Sequence, residues 1–450
     1  FSISWRKIRM KAIFRFLGLG VALTGLVAAA STVSYAQEAC ADVDGQTAIY
    51  TKFTEGYAKK TSAELKPVLV AGKEFLEKYG SCGDALKDQI AFVQPQVQRI
   101  EKLIPELEKA EKLKPLFARF DAGINSDNAD EVLAAGKEIL TILPDNLNFM
   151  VPMGVVGLYK SYAKDNKYAD DSIKYAQMAL NLIKAGKSCD KKNKAGADVC
   201  GALKYEFLKA DAVSELTYAI GYLKFYAKND KKGALPIYYE ISQAPGKYKD
   251  EPRVYATIGS YFAAEIPRLT ADIAKLLADQ KGLKTDDEKI AMEPQIKAAI
   301  ALLNGYAERA MDGFVRAHSV AKSGTPAEKT YKDSLYKDLT VLYKGRFDKT
   351  EGIDTYISTV VAKPMPNPSS EVAPVSDPEP TTTTTTTGQP APATPATASP
   401  ASAVKKPVSA VTTKDTMDTT APMKTPAAST VAIKGKTIVK KPAAKKKGKG

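Results

Sequence analysis

Among its 450 residues the chain has one histidine, His318, one tryptophan, Trp5, and four cysteines. A single imidazole excludes a His-rich metal site, bis-His haem ligation and any chemistry that needs two imidazoles. The absence of CxxCH excludes covalent haem. No apolar run reaches the roughly 20 residues that a bilayer-spanning helix requires; the run from Phe16 to Ala30 falls short. Period-two alternation bounded by turn signals is also missing, so a sheet is not expected.

Catalytic motifs fail in the same way. Gly186, Lys187 and Ser188 end like a phosphate-binding loop, but Asn181 stands where its first glycine belongs, and the segment follows a helix. Ser319 to Lys322 fits S-x-x-K without the companion S-D-N. The carboxylate clusters Asp127 to Glu131, Asp170 with Asp171, and Asp286 to Glu288 stand at helix starts, where acids favour the positive end of the dipole. None has the twelve-residue spacing of a calcium loop. His318, between Ala317 and Ser319, is expected to be a surface or cap residue. The expectation is a non-enzyme without cofactor or metal.

What is present is segregated. Five basic groups and no acids fall within residues 1–36, and twelve lysines with five acids within 364–450; 48 basic and 46 acidic residues remain between. The net charge of +14 is therefore an end effect. Arg6, Lys7, Arg9 and Lys11 precede the apolar run, and Ser34 and Ala36 occupy the −3 and −1 positions of a cleavage site before Gln37. Residues 1–36 are expected to be a signal peptide. Cys40, Cys82, Cys189 and Cys200 all lie beyond it, an even number in an oxidising compartment such as a periplasm, cell envelope or extracellular space. Three pairings are possible, and chain proximity favours Cys40 with Cys82 and Cys189 with Cys200.

Residues 37–363 read as helix after helix, with internal matches. VLVAGKEFLEKYG (68–80) matches VLAAGKEILTILP (132–144), and GLYKSYAK (157–164) matches GYLKFYAK (221–228), each at an offset of 64 residues. That offset is about twice a 34-residue helix-turn-helix unit. Tyr218, Phe225, Ala234, Tyr238 and Ile241, and then Tyr255, Ile258, Gly259 and Phe262, follow the spacing of a tetratricopeptide (TPR) repeat. The segment resembles that family in degenerate form, with Tyr222 where glycine is usual. The resemblance implies an all-α, right-handed superhelical solenoid of antiparallel helix pairs. Leu302 to Phe347 would be its last pair, and 270–300 an irregular inserted pair.

In such arrays the first helix of each pair lines a concave groove. The resemblance thus places Tyr159, Tyr162, Leu223, Tyr226 and Ser260 on it, with Lys160, Lys164, Lys224 and Lys228 near its rim. Tyrosines beside lysines suit an extended protein or peptide partner bearing a carboxylate; packing between helices is the competing role.

From 364 to 450 there are fourteen prolines and no aromatic residue, so this stretch is expected to be disordered and unable to form a core. It ends in Lys440, Lys441, Lys445, Lys446, Lys447 and Lys449. Without interleaved aromatics these lysines suit anionic wall polymers or membrane surfaces, with no specific nucleic-acid recognition. The leading expectation is an exported scaffold that binds a protein partner. An envelope tether with the helical body as spacer comes next, and an envelope hydrolase using a carboxylate pair last.

Overall fold

A computed structural model describes residues 40–377. The leader and the six terminal lysines lie outside the described residues. The described residues are mainly helical and fall into two units, 40–113 and 114–377.

In the first unit, α1 (Val43–Gly56), α2 (Ser62–Tyr79) and the beginning of α3 (Lys87–Asn125) enclose Phe53, Leu65, Phe75, Val93 and Ile100. Local chemistry starts the helices. Asp42 Oδ1 accepts the Gly45 N–H at 2.9 Å to cap α1, and its Oδ2 accepts the Tyr79 hydroxyl at 2.9 Å. Gly72 is there because a Cβ would meet Val97 and Phe53 within 3 Å. Cys40 bonds to Cys82, with Cα atoms 5.5 Å apart and a sequence separation of 42. A loop of that length loses about 4 kcal/mol of unfolded-state freedom.

The second unit continues through α4 (Ala129–Ile142), α5 (Leu147–Tyr162), α6 (Ala169–Lys184), α7 (Lys209–Tyr222), a π-turn (Leu223–Ala227), α8 (Lys231–Gln243), α9 (Pro252–Ala263), α10 (Ile266–Lys281), α11 (Asp286–Val320), α12 (Pro326–Phe347) and α13 (Ile353–Val361). Each of α4 to α8 packs on the next, α5 also touches α7, and α11 receives α9, α10, α12 and α13. Small residues set the closest approaches. Ala176 and Ala234 are fully buried. Gly259 of α9 and Gly313 of α11 face each other where a Cβ on either would strike the opposite backbone. The acidic starts behave as caps. Asn128 accepts from Glu131 N–H, and Thr285 and Glu288 form a reciprocal capping box on α11.

Four expectations are corrected. First, there is a sheet, though a small one: β1 (Lys191–Lys192), β2 (Asp198–Cys200) and β3 (Phe207–Leu208) are antiparallel neighbours in that order. Strands this short cannot display alternation. They are held by the Cys189–Cys200 disulfide and by a turn in which Asn193 Oδ1 accepts the Ala195 and Ala197 N–H groups. Second, the offset of 64 residues spans one helix pair, not two. Between Gly157 and Gly221 lie α6 and the β-lobe; between 68–80 and 132–144 lies the 39-residue α3. Third, α12 does not end the array, because α13 follows it. Fourth, residues 364–377 are ordered against the body. Met365 and Val372 are buried, and the Val375 N–H donates to Ala301 O at 2.8 Å. An extended proline-rich stretch needs no core of its own when another element supplies donors and acceptors.

Among the described residues no helix is long and apolar enough to cross a membrane. The two disulfides suggest an oxidising, non-cytoplasmic setting.

Candidate functional site

The matched octapeptides 157–164 and 221–228 end α5 and α7, helices that pack on each other. There Tyr159 and Tyr162 lie 6.0 Å apart by ring centroid, Tyr162 and Tyr222 5.0 Å, and Tyr222 and Tyr226 4.6 Å. These rings are edge-on or tilted, as the aromatic quadrupole favours. Tyr205 of the β-lobe covers Tyr159 at 5.5 Å. Inward, Tyr218 lies against Tyr222 and stacks on Tyr248 at 4.1 Å. The result is a continuous tyrosine seam, half-buried at Tyr159, Tyr162 and Tyr226 and closed at Tyr218 and Tyr248.

The π-turn builds one end of the seam. Lys228 N–H donates to Leu223 O at 2.9 Å, five residues back, so one extra residue enters the last turn. Leu223 and Phe225 are buried, while Tyr222 and Tyr226 lie ring to ring in the seam. Tyr226 Oη then lies 2.9 Å from Thr257 Oγ1 on α9. At the closed end the Tyr248 hydroxyl donates to Glu215 Oε2 at 2.7 Å, and Lys247 Nζ pairs with the same carboxylate. Glu215 is only 1% exposed. Its buried charge is answered by an ammonium and a hydroxyl, which is what makes the burial tolerable.

Burial raises the phenols of Tyr159, Tyr162 and Tyr205 and pushes Tyr222 up to about 12. All stay protonated at neutral pH. The seam therefore offers ring faces and hydroxyl donors, not phenolates.

Of the residues placed on a groove by the sequence, Tyr159, Tyr162 and Tyr226 join the seam, and Lys160 lies half-buried beside it. Lys164 is exposed at a left-handed turn, with φ of 66°. Ser260 is partly exposed on α9. Leu223 is a correction: it is completely buried, because the π-turn aims it at the core, and it cannot face a partner. Two rim lysines are already paired, Lys224 with Asp230 at 3.0 Å and Lys228 with Asp170 at 2.8 Å. Asp230 is held below the usual carboxylate range by Lys224 and by the Gly233 N–H.

Sequence reasoning did not assign Tyr205, Tyr222, Arg253 or Tyr331 to the site. Tyr222 had a signal, as the residue standing where the repeat pattern has glycine. Tyr205 arrives from the β-lobe, and Tyr331 from α12, where its ring lies 5.9 Å from the Arg253 guanidinium carbon. No local pattern announces such distant residues. His318 is half-buried near the end of α11, its ring 5.4 Å from Tyr336, and its Nδ1 has no hydrogen-bond partner among the described residues. Burial lowers its pKa. Among the described residues no group of three or more His, Cys, Asp or Glu could hold a metal ion.

Comparison with protein-family profiles, curated proteins and solved structures found no match.

Proposed function

We propose that this protein is a non-enzymatic, exported scaffold whose TPR-like solenoid binds an extended protein or peptide segment along the tyrosine seam at the ends of α5 and α7. The seam carries this reading: rings from successive helices run in unbroken contact, partly exposed at Tyr159, Tyr162 and Tyr226. Lys160 and Lys164 beside it have no carboxylate partner within ion-pair distance among the described residues. Rigid, amphipathic aromatic surface with few rotatable bonds is the usual anchor of protein recognition.

The test is affinity capture from the native envelope with the full chain, compared with Tyr159→Ser and with Lys160→Ala/Lys164→Ala. A binding seam predicts loss of one captured partner by about tenfold or more, with helical content retained in all variants and the melting midpoint retained in the lysine variant. Capture that is equal in all three proteins would overturn it.

A tether is the second reading, favoured by the ordering of residues 364–377 on the body, which fixes where the following segment begins. In that reading Lys440, Lys441, Lys445, Lys446, Lys447 and Lys449 contact anionic wall polymers or lipid head groups. Sedimentation of the full chain with purified cell wall should then fall steeply between about 50 and 200 mM salt.

A further inference from the structure

Beyond α13 the chain returns as a strap, residues 364–377, across α11. Asn304 Nδ2 donates to Val375 O at 3.0 Å, and Gly305 is required because a Cβ would fall on the Ala373 carbonyl. The strap does not lie flush. Between it, α11 and α13 is a cavity of about 290 Å³ lined by Glu308, Arg309, Asp312, Tyr356, Val360 and Lys363 and bordered by strap residues.

The charged residues that line this cavity, Arg309 and Lys363 against Glu308 and Asp312, balance in number but not in pairing. Asp312 accepts twice from Arg316, at 2.8 and 3.1 Å. Arg346 lies between Glu308 at 3.0 Å and Asp377 at 2.6 Å. Arg309 has no carboxylate within ion-pair distance among the described residues. Its Nη1 donates to Asn367 O at 3.0 Å and its Nη2 to Ser370 Oγ at 2.7 Å, both neutral acceptors. A guanidinium has five N–H donors, so three remain. Lys363 likewise has no ion pair among the described residues. Both lining carboxylates are thus answered by arginines from outside the lining, and Arg309 and Lys363 are left without an ion pair among the described residues. Burial of Arg309 lowers its pKa, and the charge of Asp312 offsets this only in part.

We propose that the cavity under the strap binds a small organic monocarboxylate, its oxygens taking the remaining donors of Arg309 with Lys363 beside them, and its apolar body lying against Tyr356 and Val360. A carboxylate would supply the ion pair that Arg309 and Lys363 lack. A planar carboxylate matches the guanidinium fork, and the aromatic and aliphatic walls suit a carbon skeleton better than a bare inorganic ion. The strap then acts as a roof, because Asn367 and Ser370 hold the same guanidinium that holds the ligand.

Benzoate is a suitable probe, followed by saturation-transfer NMR with the full chain at ionic strength fixed by sodium chloride. The expected result is a saturable signal that weakens by about tenfold or more in Arg309→Gln, the usual cost of losing a charge-assisted pair. Lys363→Gln should weaken it by a smaller factor. Lys363 is exposed and its side chain makes no hydrogen bond or ion pair among the described residues, so this second variant keeps the fold whatever Arg309→Gln does to the strap. A signal unchanged in both variants would overturn the site. Equal competition by inorganic phosphate would overturn the monocarboxylate assignment.

Discussion

GLYKSYAK and GYLKFYAK share five of eight residues and close neighbouring helices, yet one ends as an α-helix leaving through a left-handed Lys164 and the other as a π-turn. The order of leucine and tyrosine accounts for the difference. Leu158 and Leu223 are both buried, so the inward position falls one residue later, relative to the preceding glycine, in the second segment. The extra residue of the π-turn absorbs that shift and still brings Tyr226 to the seam. The glycines differ as well. Gly157 gives its N–H to Ser172 Oγ at 2.9 Å, and Ser172 in turn donates to Met153 O at 2.8 Å. Gly221 faces only the side chains of Ile237 and Tyr238. Local sequence proposes a helix end, and the neighbouring helix selects which one.

The largest expected effect separates the two equivalent tyrosines. Tyr162 packs between Tyr159 and Tyr222, and Tyr162→Ala should destabilise the protein by about 3 to 5 kcal/mol, as emptied aromatic sites do. Tyr226→Phe keeps the ring and removes the hydroxyl that meets Thr257, for about 1 kcal/mol. Denaturant midpoints measure both. Equal losses would show that the two helix ends are packed alike after all.

Next come the glycines. A Cβ at position 157 would lie 2.5 Å from Ser172 Oγ, and one at 221 would lie 3.2 Å from Ile237 Cγ2. Gly157→Ala is expected to cost about 1 to 3 kcal/mol by overpacking. Gly221→Ala should be nearly neutral, because about 1 kcal/mol of helix propensity offsets the tighter contact. Thermal unfolding of the pair decides it.

A smaller, opposite-signed pair lies at the last lysines. Lys164 has φ of 66° and Lys228 φ of −98°. Lys164→Gly should therefore stabilise by up to about 1 kcal/mol, while Lys228→Gly should destabilise by a similar amount or less. Two changes of the same sign would contradict the conformational difference.

The smallest effect is the alkaline titration. A phenol whose pKa is raised in the folded state favours folding fully below the ordinary value of 10.0 and loses that advantage as pH rises toward the folded value, about 12 for Tyr222. Tyr162 is raised further than Tyr222. Stability should hold to about pH 10 and decline above it, with the seam tyrosines ionising after the exposed ones by ultraviolet difference spectroscopy. Early, simultaneous ionisation would mean an open seam.

Much of the fold was legible from residues that act locally. Thr285 with Glu288 and Thr325 with Glu328 are capping boxes visible as T-x-x-E. The buried Ala176, Ala234, Tyr238 and Ile241 followed the helical period, and both cysteine pairs were the proximal ones. The site was legible only in part. Tyr159, Tyr162 and Tyr226 could be named because their octapeptides repeat, whereas Tyr205 and Arg253 carry no mark of where they end up.

The sequence by itself determined that this chain is helical, where its helices begin, which small residues allow close approach, and which cysteines pair. Contacts over three or four residues, or across one short loop, decide those features, and their energies are present before any tertiary partner arrives. Only the tertiary structure decided that the offset of 64 residues is a single pair enlarged in two different ways, that α7 ends in a π-turn, that Leu223 turns inward, and that residues 364–377 lie on α11. Each depends on an atom far away in sequence: Thr257 for Tyr226, Ser172 for Gly157, Ala301 and Asn304 for Val375. A backbone with several helix ends or extended paths of nearly equal local energy takes the one whose donors, acceptors and apolar surface a distant segment can satisfy.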